Sequence, residues 1–498
     1  MNHQTMPGYL PQWAHLFLLS PLVAALVGCA SGPDYQRPES PSVTGFTTAT
    51  LPAKTAASPG VHGASQQFAV QPVPAEWWKT LQSDKLTRLI DQALVASPTL
   101  AAAQATLRQA QQNYAASSGS TELPQVNAKL GAQRLGTNNT AAGLTGGDRT
   151  YDLYNATVAV SYDLDLAGGN RRALEALTAQ VNYQSYQLEG ARLTLAANLV
   201  LTAIMQAQLN AQIQVTETIL QQQAEQLALT RKRLELGAGS QLDVLALQTQ
   251  MTQTQAGLPV IQNRREQTRH LLAVLAGLAP GDARVPNFEL TDLSLPSALP
   301  VSVPSELLRR RPDVRAAEAL LQAASAQYGV AIAKLYPQLT LTANLGSQAL
   351  TTASLFGAGS LIWSLGGQLV QPLFNAGLKA NTRATEAGLD AAQANYQQTV
   401  LQSLRNVADV LRTVESDAKV QQSLESVTAS AQESLRLVEQ QYGLGAASYL
   451  QLLQSQQQAQ QTLISVVELR ARRLANTVTL YQAMGGGYTE TLKSGQPG

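Results

Sequence analysis

Four histidines (His3, His15, His62 and His270) and one cysteine, Cys29, are the chain's whole stock of imidazole and thiol. A hydrolytic or redox site needs a nucleophile beside a base, or three or four His, Cys, Asp or Glu ligands closing on a metal. His3, His15 and His62 lie in the N-terminal stretch without such partners, and His270 stands alone in a helical stretch as a surface or packing residue. No His/Cys/Asp cluster has metal-ligand spacing, so neither a metal nor a diffusible cofactor is expected. Gly168 and Gly169 follow a strand-like run and open a helix, but the rest of a nucleotide fingerprint is missing. "RRRPDVR", from Arg309, is a basic run that reads as a solvated linker face rather than an anion site. With a formal net charge of +1, nothing favours nucleic acid as a partner. The residues argue against an enzyme.

Cys29 has a different use. Residues 16–27, "LFLLSPLVAALV", are an apolar run of about a dozen residues, short of the roughly 20 that a bilayer span needs. The run fits the core of a signal peptide, although only His3 and His15, and no Lys or Arg, precede or begin it. It ends in "LVGC", whose small residues lead to a thiol that can carry acyl chains such as palmitate. The pattern resembles a bacterial lipoprotein processing site, and Ala30, in place of Asp, then implies delivery to the outer membrane. The other reading is a secretory signal with an incidental cysteine.

Two short motifs interrupt long polar helical stretches at matching places. "LGAGS" is Leu236, Gly237, Ala238, Gly239 and Ser240; "LGAAS" is Leu444, Gly445, Ala446, Ala447 and Ser448. In each, a glycine supplies the positive φ that ends one helix, and a serine can cap the next. Both are therefore expected as helix–helix turns.

The elements around these turns repeat. Pro98 matches Pro312, "LPQVNAKLGAQ" matches "YPQLTLTANLGSQ", "LDLAGGNRR" matches "LFNAGLKAN", and "LLAVLAG" matches "TLYQAMG". With the paired turns these landmarks keep one order at a nearly constant offset, the signature of an internal duplication. Each copy reads as helix, two strands, very long helix, turn and medium helix. The strand segments 125–133, 154–166 and 339–346 alternate apolar and polar residues, and a fourth covers 360–374 with Trp363 as an interface anchor. Such alternation over roughly ten residues fits a transmembrane β-barrel with a wet lumen; a half-buried soluble sheet gives the same pattern. Four strands cannot close a barrel, for which about eight is the minimum. Lipid tolerates no open edge, so several chains must share one barrel: a dimer gives eight strands and a plugged interior, a trimer twelve and room for a pore.

Helical stretches 170–236 and 378–444 are each about 100 Å long at 1.5 Å per residue and carry coiled-coil spacing. The shorter stretches 98–119 with 241–277, and 313–335 with 449–484, together match one long helix in each copy. Each chain then offers four helical columns. Charged residues are only 13% of the chain, against about 25% in ordinary soluble domains. Residues 30–75 are rich in Pro, Ser, Thr, Ala and Gly and read as an extended tether. No segment beyond the signal run reads as apolar enough for a transmembrane helix.

"VPSELLRRRPDVRAAEALLQAASAQYGVAIAKLYPQLTL", "EWWKTLQSDKLTRLIDQAL" and "SYDLDLAGGNRR" together resemble the TolC/OprM outer-membrane efflux channels, with the NodT-type lipoprotein subunits as the nearest branch. The resemblance covers nearly all of the chain after Cys29. It implies a membrane α+β homotrimer: a twelve-stranded transmembrane β-barrel, four strands per chain, continued by a twelve-column periplasmic α-helical barrel with a mixed equatorial belt. The expected organisation is signal peptide 1–28, lipidated tether 29–75, first repeat 76–277, Pro-rich linker 278–311, second repeat 312–485 and C-terminal tail 486–498.

The resemblance also implies an exit duct in the outer membrane of a Gram-negative bacterium. Its partners would be a periplasmic adaptor (membrane fusion protein) and an inner-membrane pump of the RND type. The two turns would dock the adaptor. Residues matching Asp243, Leu450, Gln451, Gln454 and Gln457 lie near the closed tunnel end in the family; here only Asp243 is charged, so a gate of Leu450 packing and Gln hydrogen bonds is expected. A duct for a type I protein secretion system would use the same architecture, and a coiled-coil lipoprotein without a pore is a further alternative.

Overall fold

The computed structural model describes residues 32–39, 45–60, 62–137, 147 and 149–487. The signal segment, Cys29 and residues 488–498 of the tail lie outside the described residues. In chain order the elements are β1 (Gln67–Ala69), α1 (Asp84–Ala96), α2 (Pro98–Thr121), β2 (Gln125–Thr137), β3 (Arg149–Leu164), α3 (Gly169–Glu235) and α4 (Gln241–Leu275). There follow β4 (Ala298–Pro300), α5 (Pro304–Arg310), α6 (Pro312–Ala333), β5 (Gln338–Ala349), β6 (Leu361–Val370), α7 (Ala376–Gly443) and α8 (Tyr449–Ala483).

The two halves repeat one order of elements, with closely matched helix lengths. The run α2, β2, β3, α3, α4 measures 24, 13, 16, 67 and 35 residues. The run α6, β5, β6, α7, α8 measures 22, 12, 10, 68 and 35. Pro98 and Pro312 occupy the first position of α2 and α6, where a missing N–H costs nothing and a fixed φ suits the helix. The absence of Pro from α3 and α7 lets each run unbroken. Within α3 one 18-residue stretch is, by length and composition alone, apolar enough to cross a membrane, contrary to the sequence expectation; half of it is buried in the protein, as in a core helix.

The chain forms two compact units, each drawing on both halves. One contains Leu107–Tyr183 and Ala317–Tyr396 together with the described residues up to Pro38. Its centre is one antiparallel sheet in the order β2-β3-β5-β6. The register aligns Ala128, Val158, Leu345 and Trp363 in one row, and Val126, Val160, Ala343 and Leu365 in the next. Period-two alternation puts both rows on one face. Leu130 is 85% exposed there, Trp363 75% and Leu365 78%. The opposite face carries Asn127, Ser161, Asp163, Thr340, Asn344 and Ser364; Thr340 Oγ1 donates to Asp163 Oδ1 at 2.6 Å and Asn344 Nδ2 to Ser364 Oγ at 3.2 Å. Among the described residues β2 and β6 each pair on one side only. In the same unit Arg172 Nη2 donates to Asp34 at 2.6 Å, and Arg37 forms a two-pronged pair with Glu318 at 2.5 and 2.6 Å.

The second unit comprises Glu39–Thr106, Gln184–Ala316 and the chain from Gln397. Its core includes Trp77, fully buried, stacked on Tyr481 with ring centroids 5.4 Å apart. Phe288, Leu293, Leu299 and Leu474 are buried in the same unit. The basic run is not simply a solvated face: Arg311 is buried, pairs with Asp313 at 2.7 Å, and donates to the carbonyl of Ala483, the last residue of α8, at 2.9 Å. A cation at that position satisfies an orphan carbonyl and the helix dipole together. Part of the expected tether is also built in: β1 pairs in parallel with β4, and Thr55, His62, Gln66 and Val73 are buried.

Candidate functional site

The two turns have one construction. After α3, Gly237 adopts φ +73°; its N–H donates to Leu234 O at 3.0 Å and that of Ala238 to Arg233 O at 2.8 Å. After α7, Gly445 adopts φ +78°; its N–H donates to Tyr442 O at 3.1 Å and that of Ala446 to Gln441 O at 2.8 Å. Both are Schellman closures, in which a left-handed glycine lets two N–H groups turn back onto the last carbonyls.

Ser240 and Ser448 then cap α4 and α8. The N–H of Asp243 donates to Ser240 Oγ at 3.1 Å, and that of Ser240 to Asp243 Oδ2 at 3.3 Å. The N–H of Gln451 donates to Ser448 Oγ at 3.3 Å, and that of Ser448 to Gln451 Oε1 at 2.8 Å. These are reciprocal capping boxes. Asp243 and Gln451, expected at the gate, thus hold the starts of their helices. Leu450, Gln454 and Gln457 lie on exposed positions of α8; Leu450 is 61% exposed, and Gln457 Nε2 donates to Gln250 Oε1 on α4 at 3.1 Å. Leu236 and Leu444 project at the turns, 76% and 86% exposed.

The structure adds two residues that the sequence reading missed. Arg233, in the last turn of α3, donates from Nη2 to the carbonyls of Tyr442 and Gly443 at 3.3 and 3.2 Å, and its guanidinium lies 4.8 Å from the Tyr442 ring centroid. One cation therefore closes the C-terminus of the other long helix. Arg233 stands three residues before Leu236, where the other long helix has Gln441 three residues before Leu444. Tyr449, whose ring centroid is 6.2 Å from that of Tyr442, packs against Leu227, Val244 and Leu247. Burial first, then Tyr442 and Asp243, push its phenol up to about 12, so it is neutral at physiological pH. Beside these groups a cleft of about 630 Å³ runs between α3, α7 and α8, lined by amides such as Gln222, Gln226, Gln432 and Gln456 and by Arg233 and Tyr442. Among the described residues no group of His, Cys, Asp and Glu could hold a metal. The cleft offers amide and apolar contact surfaces.

The fold has clear relatives. The outer membrane efflux protein family profile matches residues 89–278 and 303–486, once in each half. The chain is 31% identical to the pyoverdine export outer membrane protein OpmQ of Pseudomonas putida over 457 residues, covering 91% of this chain and 96% of the relative. It is 31% identical to the toluene efflux pump outer membrane protein TtgC of Pseudomonas putida, covering 95% and 96%. It is 27% identical to the cation efflux system protein CusC of Escherichia coli, covering 94% and 97%. Among solved structures, the outer-membrane channel OprN superposes with a TM-score of 0.83 at 28% identity over 92% of this chain and 99% of that one. VceC from Vibrio cholerae gives 0.79 at 27% identity over 84% and 100%.

The chain belongs to the outer membrane efflux protein family. It is an outer-membrane efflux channel component, not an enzyme.

Proposed function

We propose that this chain is the exit duct of a tripartite efflux system, working as a homotrimer with a periplasmic adaptor and an inner-membrane pump of the RND type. The observation that carries the reading is the four-stranded sheet: one face exposes Leu130, Trp363 and Leu365, the other is polar, and both edges lack a neighbour among the described residues. Water penalises that apolar face and lipid penalises those edges, so both are relieved if three chains close a twelve-stranded barrel with the polar face inward. The four long and paired helical columns of each chain would likewise make a twelve-column periplasmic barrel. Residues 76–97, the linker 278–311 and the tail would form its belt. The shared element order, the matched helix lengths and the twofold family match support descent of 76–277 and 312–485 from one duplicated unit.

The turns at Gly237 and Gly445, with exposed Leu236 and Leu444, would receive the adaptor. Leu450, Gln454 and Gln457 would line the gate, with Asp243 and Gln451 fixing the helices that carry them. A lipid on Cys29 would supplement the barrel as an anchor. The names of the relatives, which refer to pyoverdine, toluene and cations, favour small solutes over proteins as cargo. Conduction would be passive, with substrate chosen by the pump.

Paired substitutions test the membrane assignment. Val158→Arg or Leu341→Arg, on the apolar face, should cost about 2–4 kcal/mol near the bilayer midplane and deplete outer-membrane protein. Thr157→Arg or Thr342→Arg, on the polar face, should be far milder. Equal losses on both faces would rule the barrel out.

A further inference from the structure

Residues 62–69 are sewn onto the second unit through one buried side chain. Arg473, 3% exposed, donates from Nη1 to the carbonyl of His62 at 2.5 Å and to Gln421 Oε1 at 2.7 Å, and from Nη2 to the carbonyl of Ala64 at 3.1 Å. Gln66 Nε2 extends the hold, donating to Pro296 O at 3.0 Å and to Thr477 Oγ1 at 3.2 Å. The N–H of Gln67 donates to Ser297 O at 2.8 Å, and β1 pairs with β4. The segment therefore ties the linker between the halves to α7 and α8.

His62 sits at the head of this segment, buried, with φ +61°, a conformation that His adopts more readily than most residues. Its Nε2 is 2.6 Å from the carbonyl of Leu293. A carbonyl only accepts, so Nε2 carries the proton and Nδ1 of the neutral ring is bare. That Nδ1 is buried without a hydrogen-bond partner. From α8 the charged groups facing the ring are Arg470 and Arg473. Arg470 is paired with Glu425 of α7 at 2.7 Å; Asp417, also on α7, accepts from Arg472 at 3.0 Å and Asn476 at 2.6 Å. From the linker comes the Leu293 carbonyl, and the neighbouring Asp292 is held by Lys85 at 3.0 Å. Three guanidiniums (Arg470, Arg472, Arg473) meet two carboxylates (Asp417, Glu425), so one positive charge is already in excess. A second at Nδ1 would have neither a counter-charge nor an acceptor.

We propose that residues 62–69 form a proton-released strap: neutral His62 keeps it latched to Arg473 and the linker, and protonation at Nδ1 opens it. Burial first, with Arg470 and Arg473 adding to it against the Leu293 hydrogen bond, lowers the imidazole from its ordinary 6.5. The sign follows: an open strap takes up a proton below about 6.5, whereas the latched one resists it. Latching is thus complete above that pH and is lost as pH falls through the lowered value.

Hydrogen exchange read by mass spectrometry on the mature full-length protein tests this, with peptide rates divided by their intrinsic rates. Between about pH 7.5 and about pH 5, strap amides such as Gln67 and Phe68 should lose about tenfold of their protection, while α8 amides keep theirs. His62→Gln keeps an amide donor for Leu293 but cannot titrate, and should stay protected at both values. Deuterium uptake at the His62 C2 position follows the ring directly, and its titration midpoint should coincide with strap opening in the unmodified protein. A strap equally protected at both pH values overturns the proposal. So does a His62→Gln strap that still opens in acid, or a ring that titrates while the strap stays closed.

Discussion

Arg233 and Tyr442 come from different halves of the chain, yet the Arg233 guanidinium lies 4.8 Å from the Tyr442 ring centroid and donates to the Tyr442 carbonyl from Nη1 and Nη2 at 3.3 Å each. The contact joins the end of α3 to the end of α7 by a helix-terminal hydrogen bond and a cation–π attraction at once. Each is worth about 0.5–1 kcal/mol at a partly exposed site. Arg233→Gln should remove both and raise basal ion conductance several-fold if the turns guard a closed end, with the trimer level unchanged. Unaltered basal conductance would mean that the contact only braces the turn.

Substitutions at Leu450 and Gln454 distinguish the proposed apolar gate from a polar one. Leu450→Ala should raise basal conductance or antibiotic uptake more than Gln454→Ala. The difference should persist at high salt, because screening acts on ion pairs within a Debye length of about 8–10 Å and not on apolar packing. Asp243→Asn retains an oxygen for the N–H of Ser240 and should change little. A larger opening by Asp243→Asn than by Leu450→Ala would make the gate electrostatic.

Gly237→Trp and Gly445→Trp test docking. An added Cβ at either glycine meets nothing within 4 Å, so bulk projects into open space. The positive φ still costs roughly 1–2 kcal/mol for any side chain, and Gly→Ala at the same sites carries that strain without the bulk. Export should fail in the Trp variants and survive in the Ala variants, with membrane location unchanged in all four. Full export with both Trp residues present would remove the docking role.

How these elements were readable differs from place to place. The strand expected over 125–133 runs Gln125–Thr137, and the helix expected over 170–236 runs Gly169–Glu235. Period two and long Pro-free periodicity are local signals and survive without tertiary information. The turns were readable because positive-φ glycine and a capping serine are chemical requirements of the backbone. The capping partners Asp243 and Gln451 stand three residues after those serines, so that pairing was also written in the chain. Arg233 was not readable, because a cation in a last turn suits its own helix dipole and gives no sign of reaching another helix. Residues 62–69 lacked any signal: most of their hold runs through their own carbonyls and N–H groups, which every sequence possesses, the side chains of His62 and Gln66 add hydrogen bonds that no spacing announces, and three-residue strands show no periodicity.

Cys29 is expected to be the acylated N-terminus of the mature protein. Each buried methylene contributes roughly 0.8 kcal/mol, so a multi-chain anchor holds firmly. A barrel would hold as well, and Cys29→Ser should leave much of the protein in the outer membrane provided that processing still occurs. Mass spectrometry of the mature N-terminus decides: acylated Cys29 is predicted, and an unmodified residue excludes the lipid.

Single-channel recording from the purified protein in a planar bilayer separates a shared pore from a coiled coil without one. A detergent-resistant trimer, by native mass, should insert and give discrete conductance steps, larger in Leu450→Ala. A monomer, or a trimer that binds the bilayer and never conducts, would contradict this and leave a coiled-coil lipoprotein without a pore.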